Sequence, residues 1–230
     1  MDFSYIDRNV ELVREAIRDS ACESGRDPDS VTLLAAIKSA DVDEINYLHS
    51  LGITEVGENR VQQLLERYEK IKCEGLNIHF IGSLQTNKVK YIIDKVCLIH
   101  SLDSFKLARE IDRQAKKHSL VMNVLLEINS AREESKGGVL PEDAERLCLE
   151  VAGLENVRLC GFMTMAPKGS SREEYIKYFT LTRELGKGIW TDTLGREGEP
   201  IYSMGMSDSF RIAVECGSTM VRVGGGLFKK

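Results

Sequence analysis

Short apolar runs alternate along the chain with longer segments of helical periodicity. Residues 33–37 and 124–128 are almost continuously apolar, which is typical of parallel strands buried on both faces. Residues 5–24 instead repeat apolar side chains every three or four positions, as an amphipathic helix does. The pattern therefore predicts strands and helices in regular alternation.

The alternation contains eight strand-like runs. We predict strands at residues 32–37, 54–56, 79–81, 97–100, 122–128, 158–163, 200–204 and 220–223. Helices are predicted between them at residues 42–51, 60–71, 87–93, 104–118, 141–151, 173–185 and 208–216. One more helix, at residues 5–24, precedes the first strand.

This order of elements favours a closed barrel over an open doubly wound sheet. Strands that alternate with helices pair in parallel, and eight such units in 230 residues match the size of a barrel. An open sheet would carry a G-x-G-x-x-G turn after its first strand, where this chain has Lys38, Ser39 and Ala40. We therefore expect an α/β protein in which residues 1–230 form one domain, a single (β/α)8 TIM barrel with an extra N-terminal helix.

Composition and charge exclude several classes of protein. The 31 basic and 36 acidic residues give a net charge of −5 and are interspersed, which argues against nucleic-acid binding. No secretory signal and no apolar run of membrane-spanning length is visible, so we expect a cytoplasmic protein that does not enter membranes. Six cysteines are scattered singly and four histidines are far apart, so no metal site is predicted. His79 is interpreted as a core histidine with satisfied hydrogen bonds.

Lys38 is the only charged residue between Val31 and Ala40. A lysine that loses its water has a lowered pKa, and its amine then becomes a nucleophile toward carbonyl groups. A lysine at the carboxyl end of a barrel strand is therefore a candidate for a Schiff base. The alternative is that Lys38 marks the end of the strand and extends into solvent.

Glycine-rich segments follow the last two predicted strands. Barrels often bind phosphate with the loops after strands seven and eight and with a helix N-terminus nearby. Residues 203–209 follow the seventh strand, with Ser207, Asp208 or Ser209 as the helix N-cap, and Gly224–Gly226 follow the eighth. We therefore predict a phosphate site, the alternative being a flexible chain end beside an ordinary capped helix.

Arg222 lies in the eighth strand, where an arginine faces either a ligand or a carboxylate. It could donate a hydrogen bond to a pyridine nitrogen and so keep that nitrogen unprotonated. The alternative is a salt bridge inside the barrel with Glu127 or Glu58. A lysine amine, a phosphate site and a ring-nitrogen donor at one barrel mouth together suggest pyridoxal 5′-phosphate.

Seven segments carry a resemblance to a known family. They are residues 36–39 (AIKS), 56–62 (VGENRVQ), 79–88 (HFIGSLQTNK), 135–138 (SKGG), 161–165 (GFMTM), 203–207 (SMGMS) and 222–224 (RVG). By these motifs, which span nearly the whole chain, the protein resembles the pyridoxal phosphate homeostasis proteins, the YggS/PROSC family. The resemblance implies a barrel like the N-terminal domain of bacterial alanine racemase.

The same resemblance implies roles for individual residues. Lys38 would hold pyridoxal 5′-phosphate as a Schiff base, Asn59 would lie near the ring or its 3-hydroxyl, and Arg222 would face the pyridine nitrogen. The residues implied to surround the phosphate are Ser203, Met204, Gly224 and Gly225. No catalytic residue is implied. Gly225 and Ser209 stand where the family usually has Thr or Ser and Asp, and the missing hydroxyl at 225 would weaken phosphate binding.

The expected function is intracellular pyridoxal phosphate homeostasis, by storage, delivery or buffering, without sustained catalysis. A racemase needs an acid or base on each face of the bound substrate, and takes the second from an added domain of a partner subunit. Here almost nothing follows the eighth predicted strand. The alternatives are a racemase-like enzyme that uses pyridoxal phosphate and a Schiff-base aldolase acting without it. Transient partners are expected to be apo-enzymes that need the cofactor, and a monomer is favoured over a dimer.

Overall fold

The described residues form eight parallel strands that pair in chain order, and the last strand pairs with the first. The sheet is therefore a closed barrel, as the sequence pattern predicts. The computed structural model describes residues 2–71 and 73–230. The strands are β1 (Thr32–Ala36), β2 (Glu55–Glu58), β3 (Asn77–Phe80), β4 (Leu98–Leu102), β5 (Met122–Glu127), β6 (Val157–Met163), β7 (Ile201–Ser203) and β8 (Met220–Val223).

Seven α-helices surround the barrel within the described ranges. They are α1 (Ser4–Glu23), α2 (Val42–Ser50), α3 (Val61–Tyr68), α4 (Phe105–Lys117), α5 (Pro141–Ala152), α6 (Arg172–Gly188) and α7 (Phe210–Glu215). Capping boxes start α2, at Asp41 and Glu44, and α6, at Ser171 and Glu174. Among the described helices, none has the length and apolar character that crossing a bilayer requires.

The third crossover differs from the expected helix at residues 87–93. The chain there forms a short 3-10 helix, Thr86–Tyr91. Val89 is its buried residue, and Ile92, three positions later at the C-cap, is also buried. Side chains at that spacing lie above one another in a 3-10 helix, so this short helix and its cap bury apolar positions that the sequence pattern assigned to an α-helix.

The N-terminal helix α1 packs against α7 and contacts α2, so it fills the outer layer between these two helices. Its buried face consists of Tyr5, Ile6, Val10, Val13, Ala16, Ile17, Ser20 and Ala21. The Tyr5 hydroxyl donates to the Glu44 carboxylate in α2, and Arg14 donates to the Leu51 carbonyl oxygen at 3.0 Å. The helix that the sequence places outside the eight units thus completes the ring around the barrel.

The two ends of the chain meet beside α1. The side-chain amide of Asn9 donates to the carbonyl oxygens of Leu227 and Lys229, at 3.1 and 2.8 Å. The segment that follows β8 is therefore attached to the first helix.

Apolar and polar layers share the interior of the barrel. Two small apolar clusters lie inside it, one around Leu34 and Ile81 and one around Leu125 and Met163. The buried polar residues of the strands that matter for the site are His79, His100, Glu127, Ser203 and Arg222. Since buried polar groups need hydrogen-bond partners, this part of the interior is held by hydrogen bonds as well as by apolar packing.

Candidate functional site

Lys38 lies just beyond the carboxyl end of β1. Ile37 is only 1% exposed, whereas Lys38 and Ser39 are both exposed. The backbone is fixed there, because the Ile37 N–H donates to the Gly57 carbonyl oxygen at 3.0 Å and Arg67 donates to the Ile37 carbonyl oxygen at 2.9 Å. Lys38 therefore extends into solvent, as in the alternative interpretation, and is not desolvated. Its side chain is open to an incoming aldehyde.

The turn after β8 lies beside the strand that leads to Lys38. Ala35 is opposite Val223 in the sheet, and a Cβ atom on Gly224 would lie 3.0 Å from the Ala36 carbonyl oxygen. The Arg222 N–H donates to the Gly205 carbonyl oxygen at 3.1 Å, which joins the turn to the loop after β7. The structure thus brings the two glycine-containing segments together at the mouth that carries Lys38.

Several backbone amides of these two segments are available for an anion. Within the described ranges, no protein acceptor is bound by the N–H groups of Ser207, Asp208, Gly224, Gly225 and Gly226. Ser209 occupies the N-cap position of α7, but its hydroxyl accepts from the Met206 N–H at 3.2 Å and does not cap the helix. Free N–H groups at this place are the chemistry that the predicted phosphate site requires.

Ser203 and Met204 lie beneath the loop, and neither is exposed. The Ser203 hydroxyl points into the barrel, where it accepts from Arg222 and contacts His100. The Met204 side chain belongs to the layer between sheet and helices. Both residues therefore support the predicted phosphate loop from below, with side chains directed away from it.

Arg222 is only 4% exposed and is held by three hydrogen bonds. Its Nη1 donates to the backbone oxygen and to the hydroxyl of Ser203, each at 2.6 Å, and its Nη2 donates to the Thr164 carbonyl oxygen at 3.0 Å. Burial lowers the pKa of Arg222 to about 10, against an opposing effect of Glu127, so the guanidinium remains a cation at neutral pH. Its Nε–H donates to no acceptor among the described residues and stays available to a ligand.

The expected alternative partners of Arg222 are placed differently. Glu58 pairs with Arg67 at 3.0 Å, and no salt bridge of the described residues joins Arg222 to Glu58 or Glu127. Burial, together with the charge of Asp103, raises the pKa of Glu127 to about 7. A Cβ atom on Gly137 would lie 3.5 Å from a Glu127 carboxylate oxygen, so the segment 135–138 covers this carboxylate.

Two histidines that are far apart in sequence meet under Arg222. His79 Nδ1 lies 2.9 Å from His100 Nε2, His79 Nε2 lies 2.6 Å from a Glu55 oxygen, and His100 Nδ1 lies 3.0 Å from Ser203 Oγ. His79 is therefore a core histidine with satisfied hydrogen bonds, as the sequence analysis expected. The contact of His100 with His79 and Ser203 was not predicted, although a histidine in each of two consecutive strand-like runs was the available signal.

Asn59 carries a buried oxygen without a partner. Its Oδ1 makes no hydrogen bond, although its backbone N–H donates to Glu58 at 2.8 Å. A Cβ atom on Gly82 would lie 2.1 Å from the Asn59 carbonyl oxygen, so only glycine allows the β3 loop to approach this closely. Since buried polar atoms are normally paired, an unpaired oxygen beside a barrel mouth is a position for a ligand group.

Asn59 also lines a cavity of about 630 Å³ between the loops that follow β2 and β3. Its other lining residues are Arg60, Val61, Gln62, Leu65, Phe80, Ser83, Gln85, Lys88 and Tyr91. Gln85 and Lys88 belong to the motif of residues 79–88, for which the sequence alone assigns no contact. In the described part of the chain, no cluster of histidine, cysteine or carboxylate side chains is arranged to hold a metal ion.

Comparison with known proteins agrees with this geometry. The family model for the N-terminal domain of alanine racemase matches residues 26–230. The pyridoxal phosphate homeostasis protein of Aquifex aeolicus is 43% identical over 222 residues, which cover 95% of each chain.

Two solved structures extend the likeness to the fold. A protein of Bifidobacterium adolescentis described as unknown superimposes with a TM-score of 0.91 at 31% identity, over 99% of this chain and 97% of its own. PipY of Synechococcus elongatus PCC7942, solved with pyridoxal phosphate bound, gives a TM-score of 0.80 at 29% identity, over 93% of this chain and 99% of PipY. The resemblance seen in the motifs is confirmed: the chain belongs to the family of the pyridoxal phosphate homeostasis proteins, whose barrel is that of the alanine racemase N-terminal domain.

Proposed function

We propose that this protein binds pyridoxal 5′-phosphate as a Schiff base on Lys38 and serves intracellular homeostasis of that cofactor, with residues 1–230 acting as one binding domain. The observation that carries the proposal is the set of unused groups at one barrel mouth. They are the exposed amine of Lys38, the free Nε–H of Arg222 and the unpaired oxygen of Asn59. When bound, the cofactor supplies an aldehyde that combines reversibly with a primary amine.

Arg222 would orient the ring. Both Nη1 hydrogens are bound to Ser203 and one Nη2 hydrogen to Thr164, which leaves the Nε–H and the second Nη2 hydrogen. The Nε–H is the donor that we assign to the pyridine nitrogen. A guanidinium with a pKa of about 10 does not give up its proton at neutral pH. It therefore keeps the ring nitrogen unprotonated, which makes the ring a weak electron sink and favours holding the cofactor over turnover.

The amides of Ser207, Asp208, Gly225 and Gly226 would bind the phosphate. Each can donate one hydrogen bond to a charged oxygen, which is stronger than a bond between neutral groups. Gly225 is exposed and contributes no side-chain donor. We therefore expect the cofactor to be held less tightly than it would be with a hydroxyl at this position.

The exposed position of Lys38 suits a carrier more than an enzyme. A mouth open to solvent leaves reactive carbanions unprotected. The same openness lets a transient partner, such as an apo-enzyme that requires the cofactor, reach it directly. We infer storage, delivery or buffering by a monomer without sustained catalysis, and the relatives over which this chain aligns at 95% coverage are named homeostasis proteins.

Adduct mapping tests the proposal. Protein incubated with pyridoxal 5′-phosphate should gain visible imine absorption, and borohydride reduction should fix a pyridoxyl group on Lys38 that peptide mass spectrometry locates. The Lys38→Ala variant should lose both signals, while Lys88→Ala, which removes another exposed lysine near the same mouth, should keep them. A wild-type protein that takes up no cofactor, or one labelled equally in both variants, would overturn the proposal.

A second measurement separates a carrier from an enzyme. In deuterated water, the loaded protein should exchange no α-protons of amino acids beyond a single equivalent. Steady exchange would favour the racemase-like alternative. Borohydride trapping of a sugar phosphate on Lys38 in the absence of cofactor would favour the aldolase.

A further inference from the structure

A series of hydrogen bonds, the Glu55–Arg222 network, crosses the barrel interior from β2 to β8. It begins at Glu55, whose Oε2 lies 2.6 Å from His79 Nε2, and continues from His79 Nδ1 to His100 Nε2 at 2.9 Å. His100 Nδ1 lies 3.0 Å from Ser203 Oγ, which accepts from Arg222 Nη1 at 2.6 Å. Five strands contribute one residue each, and the last residue is the proposed donor to the pyridine nitrogen.

The central residues of the Glu55–Arg222 network are buried. His79 is 3% exposed, and neither His100 nor Ser203 is exposed at all. Burial holds the pKa of His100 well below its usual value, and the charges of His79 and Arg222 add to that effect. His100 is therefore neutral, with one nitrogen that donates and one that accepts.

The two ends of this series of hydrogen bonds have fixed roles. Arg222 can only donate, and the Glu55 carboxylate can only accept. Burial opposes ionisation of Glu55, but hydrogen bonds from His79 and Asn77 outweigh it and lower the pKa of Glu55. His79 therefore donates to Glu55 through Nε2, and Ser203 Oγ accepts from Arg222 Nη1. Between them, His100 contacts His79 with one ring nitrogen and Ser203 with the other.

These contacts have a consequence for the guanidinium. Ser203 Oγ is held 3.0 Å from His100 Nδ1 and faces Arg222 as an acceptor. Nη1 then has both of its hydrogens bound to Ser203, and Nη2 is bound to the Thr164 carbonyl oxygen. A planar group held at these points cannot rotate, so the directions of the unused Nε–H and of the second Nη2 hydrogen are fixed.

We propose that Glu55, His79 and His100 are positioning residues that act through Ser203 to aim the Arg222 Nε–H at the pyridine nitrogen of bound pyridoxal phosphate. This proposal rests on the proposed function for the identity of the ligand. The orientation of Arg222 is independent of that function, because protein groups alone hold the guanidinium. None of the three residues touches the cofactor in this scheme.

Two variants interrupt the Glu55–Arg222 network at different residues. His100→Leu removes both imidazole contacts, and Ser203→Ala removes only the hydroxyl, so the second remains informative if the first fails to fold. Each should weaken pyridoxal phosphate binding by about 3- to 10-fold, as expected for one lost hydrogen bond. Because both act on the same link, the double variant should be no weaker than the stronger single one. His118→Gln, at an exposed histidine, is the matched control and should change nothing.

The readouts separate positioning from general stability. The absorption maximum of the loaded protein and the ¹⁵N shift of a labelled cofactor ring nitrogen should move in both variants and remain in His118→Gln. In the apoprotein, the Arg222 Nε–H resonance should broaden or shift in both variants. His100→Gln, which retains a side chain able to form a hydrogen bond with Ser203, should restore part of each signal.

The outcomes distinguish this proposal from the proposed function. If wild-type protein takes up no cofactor, the proposed function fails, and the apoprotein resonance still tests how Arg222 is held. If the cofactor binds but the ring-nitrogen shift, the absorption maximum and the Arg222 resonance are the same in wild type, His100→Leu and Ser203→Ala, the positioning role is overturned. Additive losses in the double variant would overturn it as well.

Discussion

Glu127 and Arg222 are buried in the same barrel interior and act on each other's charge, yet no ion pair among the described residues joins them. Burial, with the nearby charge of Asp103, raises the pKa of Glu127 from 4.5 to about 7, and Arg222 only partly opposes this. Glu127 is therefore a carboxyl group that the folded barrel prefers to keep protonated.

This preference predicts a pH-dependent stability. Since the folded pKa is above the unfolded one, the stabilisation is complete below pH 4.5 and is lost as pH rises through about 7. Relative to Glu127→Gln, the wild type should therefore lose up to about 3 kcal/mol of unfolding free energy over this range. Urea unfolding at a series of pH values measures the difference.

The matched control is Glu142→Gln, at an exposed glutamate on α5. Its profile should run parallel to that of the wild type across the interval in which Glu127 titrates. Parallel profiles for Glu127→Gln and the wild type would show instead that Glu127 ionises without cost.

Gly225 offers a position at which the proposed phosphate site can be strengthened. A Cβ atom on Gly225 would meet nothing within 4 Å, and its φ is not in the left-handed region. Gly225→Thr should therefore fit and supply a hydroxyl donor to the phosphate, tightening binding roughly 10- to 100-fold, as a hydrogen bond to a charged group does. Titration of the imine absorption gives the affinity.

The comparison variant is Gly225→Ala, which adds the Cβ atom without the hydroxyl. It should bind pyridoxal phosphate as the wild type does. An equal gain in both variants would attribute the effect to backbone stiffening, and no gain in Gly225→Thr would place the phosphate elsewhere.

Gly82 fixes the position of Asn59. Because a Cβ atom there would lie 2.1 Å from the Asn59 carbonyl oxygen, Gly82→Ala must displace one of the two loops. We expect a loss of roughly 1–3 kcal/mol in unfolding free energy, as for other overpacked sites, together with weaker cofactor binding. Thermal unfolding of the apoprotein and absorption titration test the two effects.

A glycine in an ordinary helical position serves as the control. Gly188 ends α6, and a Cβ atom there has no neighbour closer than 3.9 Å. Gly188→Ala should raise stability by about 0.5–1 kcal/mol, the opposite sign. If both substitutions changed the unfolding free energy in the same direction, the close approach at Gly82 would not be the cause of the loss of stability in Gly82→Ala.

The N-terminal helix predicts a contrast between its two faces. The side chain of Ile6, on the buried face of α1, is not exposed at all, whereas that of Leu12, outside that face, is 56% exposed. Ile6→Ala should cost about 2–5 kcal/mol, and Leu12→Ala should stay within about 0.5 kcal/mol. Denaturant unfolding of both variants decides whether α1 is part of the cooperative unit, because comparable small effects would mean that it is not.

The apolar pattern was sufficient to predict the barrel because parallel strands buried on both faces have a distinctive composition. The strand predicted at residues 122–128 and the observed β5, Met122–Glu127, differ only in the last residue. The 3-10 helix Thr86–Tyr91 was not predicted, since buried residues three apart fit either kind of helix.

The site was less accessible to sequence reasoning, for physical reasons. An apolar run does not indicate at which residue the strand ends and solvent exposure begins, so the exposure of Lys38 could not be predicted from the sequence. The inward direction of the Ser203 hydroxyl depends on strand register, because a shift by one residue reverses every side chain. The contact between His79 and His100 depends on two neighbouring strands at once.

The attachment of Asn9 to Leu227 and Lys229 also bears on how the protein is made. These partners are 218 and 220 residues apart in sequence, so the contact cannot form until the segment after β8 has been synthesised. The apolar face of α1 is likewise synthesised long before its neighbour α7. Contacts of such long range slow folding, and the nascent helix therefore needs protection from aggregation in the meantime.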